Sequence, residues 1–224
     1  MTTFTVTATE AGSTSSGIAL MVSVLTGQSG AQPGATPSAT QVTPNLAITP
    51  AATGSLVLGS LLALAGTFTV NGSTVNDQDA HSIAGLEMCS FHGTAATTSG
   101  SPVTLGYTSA TNGISVCLCE IKASGTLAID GSAPAGVSDG AAITVTTGSF
   151  TPPAGGALLV ACVQSNGAGS VTTMGITDTS GLGLTWAEQV KQNGAGNGYS
   201  GIWTAAVPGT AAAAPVMYSM RMMP

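Results

Sequence analysis

Residues Phe150–Asn166 read FTPPAGGALLVACVQSN, and an earlier version of the same pattern, ITPAATGSLVLGSLL, occupies Ile48–Leu62. Each copy has an apolar residue before Thr-Pro, then a turn of small residues that includes glycine, then an apolar run rich in Leu and Val. Proline ends the preceding element and the glycine turn reverses the chain, so the apolar run is typical of a buried strand. The duplication predicts two related β units.

The rest of the chain consists of short apolar or alternating runs separated by Gly, Pro, Ser and Thr, and no segment has a convincing helical period. We expect an all-β protein of two β-sandwich units, of the jelly-roll or immunoglobulin-like type. The first unit is expected at 1–129, a linker rich in Gly and Pro at 130–140, and the second unit at 141–224. The aperiodic stretch Gln28–Pro44 predicts a long loop, or an arm that lies on a neighbouring subunit.

The stretch from Val216 to Met222 alternates well but lacks an obvious following partner strand. An unpaired terminal strand promotes aggregation unless something pairs with it. We therefore expect it to dock on the first unit or on another subunit, as an inter-subunit strand with the residues Val216, Tyr218, Met220 and Met222.

Charged residues make up only 5% of the chain, against about 25% in an ordinary soluble domain. The basic residues are Lys122, Lys191 and Arg221, too few to line a phosphate backbone, so nucleic acid is excluded as a partner. A surface with so little charge is poorly protected against association. We expect a homo-oligomer, with a trimer as one arrangement.

The longest apolar runs are shorter than the roughly 18 to 20 residues that cross a bilayer, so no membrane span is expected. The first residues lack the basic and apolar regions of a secretory signal, which predicts synthesis and folding in the cytosol. In that reducing compartment the four cysteines are expected to be free, buried thiols: Cys89, Cys117, Cys119 and Cys162.

Two patterns in the sequence contain residue types that bind metal ions. Asn76–Asp79 could begin a calcium loop, but it lacks the glycine and the distant glutamate of an EF-hand, so a structural turn is favoured. Cys117 and Cys119 lie two apart, on one face of a strand, whereas zinc would need two more ligands, and His81 and His92 are not a recognisable pair. We expect no metal and no cofactor.

Signals for catalysis are weak. The chain has no Gly-x-Ser-x-Gly, and its only histidines are His81 and His92. A carboxylate pair for glycoside cleavage would have to come from distant positions such as Glu87, Glu120 or Glu188. We expect a protein that is not an enzyme.

Three aromatic residues lie near glycine-rich loops, where aromatic side chains can stack on sugar rings: Trp186, Tyr199 and Trp203. Aromatic residues in strands more often belong to the core. Core packing is therefore favoured for these three residues, and glycan contact is the alternative.

Several motifs of the second unit resemble a repeat of virion proteins from phages of actinobacteria: Ser149–Gly155, Leu158–Val160, Thr177–Leu182 with Leu184–Trp186, and Gly198–Ala205. The first unit is similar to a companion form through Gly17–Val22, Leu46–Pro50, Gly54–Gly59 and Leu118–Ile121. Related proteins are often called minor tail proteins. The resemblance implies a β sandwich without catalytic residues.

In similar repeats the two strands that contain Trp186 and Trp203 lead into a further strand pair, whereas here a similar pair opens the chain at Phe4–Leu25. The resemblance therefore implies a second unit that is permuted or completed by strand sharing. It also implies a non-enzymatic virion component of the minor tail type, made in the host cytoplasm, with other phage virion proteins as partners. A capsid decoration protein is one alternative, and a carbohydrate-binding adhesin is an alternative of another class.

Overall fold

The computed structural model describes residues 2–12, 17–29, 34–39, 45–64, 69–83, 86–108, 113–166, 171, 173–194 and 198–209 of the 224-residue chain. Within these ranges the regular structure is β-strand throughout, which confirms the expected all-β fold, and no helix long and apolar enough to cross a membrane is present. The strands are β1 Val6–Ala11, β2 Ile18–Gln28, β3 Ser38–Ala39, β4 Asn45–Ile48, β5 Leu56–Leu64, β6 Thr69–Val70, β7 Thr74–Ile83, β8 Leu86–Gly93, β9 Val103–Thr108, β10 Gly113–Ile121, β11 Ala123–Ile129, β12 Val137–Asp139, β13 Thr144–Thr146, β14 Ala157–Ser165, β15 Thr173–Asp178, β16 Ala187–Gly194 and β17 Gly198–Val207.

The strands form four antiparallel sheets stacked in layers. The two inner layers are a six-stranded sheet, in the order β11-β2-β14-β17-β16 with β12 also paired to β2, and a five-stranded sheet, in the order β3-β10-β5-β8-β7. A three-stranded sheet, β13-β1-β15, covers the outer face of the six-stranded sheet, and another, β4-β9-β6, covers that of the five-stranded sheet. Each outer sheet and the inner sheet beneath it form one sandwich.

Three apolar cores separate these layers. The central core lies between the two inner sheets and includes Met21, Leu58, Met88, Cys162 and Ile202. The first outer core, with Phe91, lies under β4-β9-β6, and the second outer core, with Tyr199, lies under β13-β1-β15. Because both faces of each inner sheet are covered, their middle strands are apolar at nearly every position: all nine residues of β14 are buried.

The two sandwiches have the same strand arrangement but a different starting point along the chain. The duplicated runs are equivalent: β5 lies between β10 and β8, and β14 lies between β2 and β17. Their registers also match, since Leu56 pairs with Ile121 and Leu158 pairs with Leu25. In the outer sheets, β9 lies between β4 and β6 as β1 lies between β13 and β15. The second sandwich is therefore a circular permutation of the first, and β1 and β2 complete it, as expected.

Because of this pairing, several segments lie in a different sandwich from the one that their positions in the sequence suggest. Residues 6–11 and 18–28 lie in strands of the second sandwich, and the expected linker at 130–140 includes β12, which pairs with β2. In the expected arm, residues 34–39 run along β10 of the same chain, and β3 pairs with it. Gly34 N–H donates to the Glu120 carbonyl at 2.9 Å, and Leu118 N–H donates to the Pro37 carbonyl at 3.0 Å. Residues 30–33 and 40–44 of that stretch lie outside the described residues.

The expected structural turn at Asn76–Asp79 is wrong, because these residues lie within β7. Asn and Asp favour turns through local side-chain bonds, but pairing with β8 overrides this preference. A register irregularity separates Asn76 from Gln78, and the Asn76 side chain accepts a hydrogen bond of 2.9 Å from the Tyr107 hydroxyl. Polar residues are tolerated here because β7 is an edge strand.

A small polar cluster lies between the two inner sheets. The Gln164 amide nitrogen donates to the Ser60 hydroxyl at 2.6 Å and to the Cys89 carbonyl at 3.2 Å, and the hydroxyls of Ser60 and Ser200 are 2.8 Å apart. Buried polar groups without partners are costly. The cluster therefore favours one relative placement of the two sheets.

We predict that Phe4→Ala lowers the free energy of unfolding by about 3 kcal/mol, within the range for removing a buried phenyl ring. Phe4 is buried, its ring centroid lies 4.9 Å from that of Phe150, and the two residues exchange backbone hydrogen bonds of 3.1 Å. Urea unfolding measures the loss. Thr3→Ala is the control, because Thr3 is exposed and its removal is expected to cost less than about 0.5 kcal/mol. Equal stabilities of the two variants would contradict closure of the second sandwich by the N-terminal strands.

Candidate functional site

Two of the three aromatic candidates, Tyr199 and Trp203, lie on the same face of β17, toward the second outer core. Tyr199 is 1% exposed, and its hydroxyl accepts a hydrogen bond from Trp203 Nε1 at 3.1 Å and donates to Glu188 Oε1 at 3.2 Å. Burial raises the pKa of the Tyr199 hydroxyl well above its ordinary value. Tyr199 is thus a core residue that fixes Trp203, and it offers no ring face to a ligand.

The third candidate, Trp186, lies in the segment before β16, half-buried against the second outer core. Its Nε1–H donates to Asp178 Oδ2 at 3.1 Å. The other carboxylate oxygen of Asp178 accepts from the Ser180 backbone N–H at 2.9 Å and from the Ser180 hydroxyl. This network orders the segment between β15 and β16.

A groove of about 620 Å³ opens beside this network. Its polar lining comes from Thr177, Asp178 and Thr185, and its apolar lining from Ile176, Leu184 and the indole of Trp186. Gly181 and Gly183 complete it, with φ angles of 68° and 66° that favour glycine. The groove combines an oriented aromatic ring with a carboxylate and hydroxyl groups.

The candidate inter-subunit strand lies outside the described residues, so the docking of Val216, Tyr218, Met220 and Met222 stays a prediction. The described chain ends at Gly209, which lies against the turn at Gly155 and Gly156. A Cβ added to Gly156 would meet the backbone nitrogen of Gly209 at 2.9 Å, and Gly156 has a φ of 89°. Glycine there permits the close approach.

All four cysteines are free and buried, as expected. Cys117 and Cys119 face the central core together, and the Cys117 thiol donates to the Ser200 carbonyl at 3.2 Å. Burial raises the pKa of each of these two thiols to about 12, and burial also raises that of Cys162. Among the described residues, no group of three or more His, Cys, Asp or Glu side chains is placed to hold a metal ion. His92 instead contacts Asp77, with Nδ1 and Oδ1 2.5 Å apart.

The carboxylate of Glu120 is completely buried on β10 and is used by the backbone. It accepts hydrogen bonds from the N–H groups of Ala35 at 2.8 Å and of Ala51 and Ala52 at 2.9 Å. Burial alone would raise the pKa of Glu120, but these donors outweigh it and hold the pKa below its ordinary value. Glu120 therefore ties both Gly34–Ala39 and the turn before β5 to β10.

The other two carboxylates that the sequence singled out have different surroundings. Glu188, on β16, accepts from Tyr199 and forms an ion pair of 3.2 Å with Lys191. Glu87 lies on β8, opposite Ala63 of β5.

The sequence reasoning missed the role of Asp178, although Asp followed two residues later by Ser is a common side-chain turn pattern that marks an ordered loop.

We predict that the native protein does not react with a thiol-specific disulfide reagent at pH 8 within minutes, whereas the denatured protein exposes four thiols. The thiolate is the reactive form, and at pH 8 the thiols of Cys117 and Cys119, with pKa values of about 12, are almost entirely protonated. Absorbance of the released thiol, followed with and without denaturant, measures the difference. Rapid reaction of two or more thiols in the native protein would contradict the buried placement.

We predict that Glu120→Gln lowers the free energy of unfolding at pH 7 by about 2 to 3 kcal/mol. The substitution removes the charge of the hydrogen-bond acceptor, and it places the amide N–H₂ of Gln against backbone N–H groups, which are also donors. Because the pKa of Glu120 is lowered in the folded state, its stabilisation is present above the ordinary pKa of 4.5 and is lost as pH falls through the lowered value. The gap between wild type and variant should therefore narrow as the pH falls below about 4.5. Urea unfolding at several pH values measures it.

Asp139→Asn is the matched control for this prediction. The exposed Asp139 also accepts two backbone N–H groups, from Ala141 and Ala142, but water can replace it as a partner. We expect a loss below about 1 kcal/mol for this variant. A gap between wild type and Glu120→Gln that stays constant down to pH 3 would contradict the assigned role.

No family model, curated protein or solved structure matches this chain. A function is therefore assigned only from the residues and the geometry of the chain itself. The features that bear on it are the motifs that resemble virion repeats, the permuted double sandwich and the buried carboxylate of Glu120.

Proposed function

We propose that this protein is a non-enzymatic structural component of a bacteriophage virion, of the minor tail type. In this role it is made in the host cytoplasm and assembles on the particle as a homo-oligomer, with other virion proteins as partners. One observation carries the proposal: the motifs that resemble virion repeats are the segments that build the fold. Gly17–Val22 opens β2, Gly54–Gly59 forms the turn into β5, and Gly198–Ala205 forms most of β17.

The chemistry of the described residues supports a structural role. The buried carboxylate of Glu120 holds two backbone segments, and the thiols of Cys117 and Cys119 are protonated at neutral pH. The Tyr199 hydroxyl accepts from Trp203 and donates to Glu188. Each of these groups holds the fold together.

The surface supports assembly. With 5% charged residues, the chain has weak electrostatic protection against association. The alternating stretch of Val216, Tyr218, Met220 and Met222 has the pattern of a strand that pairs with a sheet edge, and β-strand addition is a common way to join subunits. We include this inter-subunit strand in the proposal.

A capsid decoration protein is the second candidate. The same low charge and the same layered body suit a protein that is clamped between shell subunits, where a trimer would match local threefold symmetry. The two candidates differ only in position on the particle.

Cryo-electron microscopy of the particle that carries this chain tests the proposal. We expect density for the double sandwich in rings or spikes of the tail. Density on the shell at its symmetry axes would replace the tail assignment with the decoration role. Absence of the chain from purified particles, checked by mass spectrometry of the same sample, would overturn the virion proposal.

A further inference from the structure

The groove beside Trp186 has the size and the open form of a small-ligand site. Its volume of about 620 Å³ lies within the range of pockets that bind small molecules, about 300 to 1,000 Å³. It lies where β15 ends at Asp178 and where the chain approaches β16 through Leu184, Thr185 and Trp186. None of these residues takes part in the Glu120 contacts.

The indole of Trp186 is held in place before any ligand arrives. Its Nε1–H donates to Asp178 at 3.1 Å, and its ring packs against the second outer core. A side chain that is already ordered loses little conformational entropy on binding. The indole can therefore present an apolar surface to the C–H groups of a ligand at low cost.

The carboxylate of Asp178 keeps capacity for one more hydrogen bond. An ionised carboxylate has about four acceptor sites. Within the described part of the chain three are used, by the Ser180 N–H, the Ser180 hydroxyl and Trp186 Nε1. The exposed hydroxyls of Thr177 and Thr185 add groups that both donate and accept.

The negative charge in and around the groove restricts the class of ligand that the groove can bind. The ionisable group among the lining residues is the Asp178 carboxylate, and the chain has a net charge of -6, so an anionic ligand is disfavoured. Lys191, on the adjacent strand β16, is already paired with Glu188. A ligand with apolar C–H faces and hydroxyl edges matches an indole next to a carboxylate and two threonines.

We propose that this groove binds a neutral carbohydrate. The sugar ring stacks on Trp186, one ring hydroxyl donates to Asp178, and Thr177 and Thr185 contact the remaining hydroxyls. Tyr199 and Trp203 take no part, because they belong to a separate hydrogen-bonded cluster. The proposal is independent of the virion role, since binding is a property of the isolated chain.

The first experiment applies the full-length chain to a printed array of neutral and acidic oligosaccharides. The neutral oligosaccharide with the strongest signal is then titrated while tryptophan fluorescence is followed. The titration uses Trp203→Phe, in which Trp186 is the remaining tryptophan. We expect binding of neutral oligosaccharides and a saturable change in the Trp186 emission.

Two substituted chains locate the site. Thr185→Arg fills the groove and is expected to weaken binding at least tenfold. Thr173→Arg adds the same side chain at another exposed threonine, on β15 but not in the groove lining, and is expected to change the affinity less than twofold. Both substitutions are at exposed positions, and urea midpoints of the two variants that equal the wild-type midpoint establish that folding is intact.

Three results would overturn the proposal: no binding of any neutral oligosaccharide at millimolar concentration, equal affinities of Thr185→Arg and Thr173→Arg, or binding of acidic oligosaccharides alone. These results would leave the virion proposal unchanged, because that proposal depends on the location of the chain on the particle. Conversely, absence from the particle would leave the carbohydrate site unchanged.

Discussion

The packing of the two inner sheets against each other is the constraint on which the rest of the structure depends. Each inner sheet is covered on both faces, so β2, β5, β10 and β14 have almost no solvent-facing positions. Continuous apolar strands satisfy this requirement. Small thiols fill part of the central core, and the Ser60 hydroxyl of one sheet bonds to the side chains of Gln164 and Ser200 of the other. The raised pKa values of the thiols and the pairing of these polar side chains both follow from burial.

The two sandwiches have the same strand arrangement, but their buried and half-buried polar side chains lie at different positions. Glu120 of β10 faces Val57 in the register, and the matched pair in the second sandwich is Val24 with Leu159. Where the first sandwich has a buried carboxylate that captures three backbone N–H groups, the second has an apolar side chain in its outer core. The Asp178 network orders a different segment, between β15 and β16. The repeats have thus kept their topology while placing their polar anchors differently.

Much of the fold was predictable from the sequence, because burial on both faces leaves a signal that needs no knowledge of partners. The apolar runs of β2, β5, β14 and β17 indicated strands, and the repeated Thr-Pro turns indicated the duplication. The weaker strands were not predictable: β11 is largely exposed, β12 has three residues, and β7 contains turn-forming Asn and Asp. Periodicity reports which face of a strand is buried but not which strand lies beside it. For that reason the position of β1 and β2 in the second sandwich was predicted from the resemblance to virion repeats and not from periodicity.

The candidate site was predictable only in part. Trp186, Tyr199 and Trp203 were indistinguishable in the sequence, since each follows or precedes a glycine-rich segment. The structure separates them through long-range contacts, with Tyr199 in the core and Trp186 beside a groove. Glu120 did leave a signal, because a charged residue inside an apolar strand requires partners. Its hydrogen-bond partners are the backbone N–H groups of Ala35, Ala51 and Ala52. Because these are backbone groups, the residue types at those positions do not reveal them.

The permuted closure also sets the order in which the protein is able to fold during translation. The first sandwich is built from one continuous segment, β3 to β10, whereas β1 and β2 are made well before the strands that cover them. The contact between Thr3 and Thr151 joins residues 148 positions apart. Closing so large a loop slows folding. The apolar strand β2 is able to pair with β11 and β12 once these are made, but its pairing with β14 must wait until residues 157–165 have been synthesised.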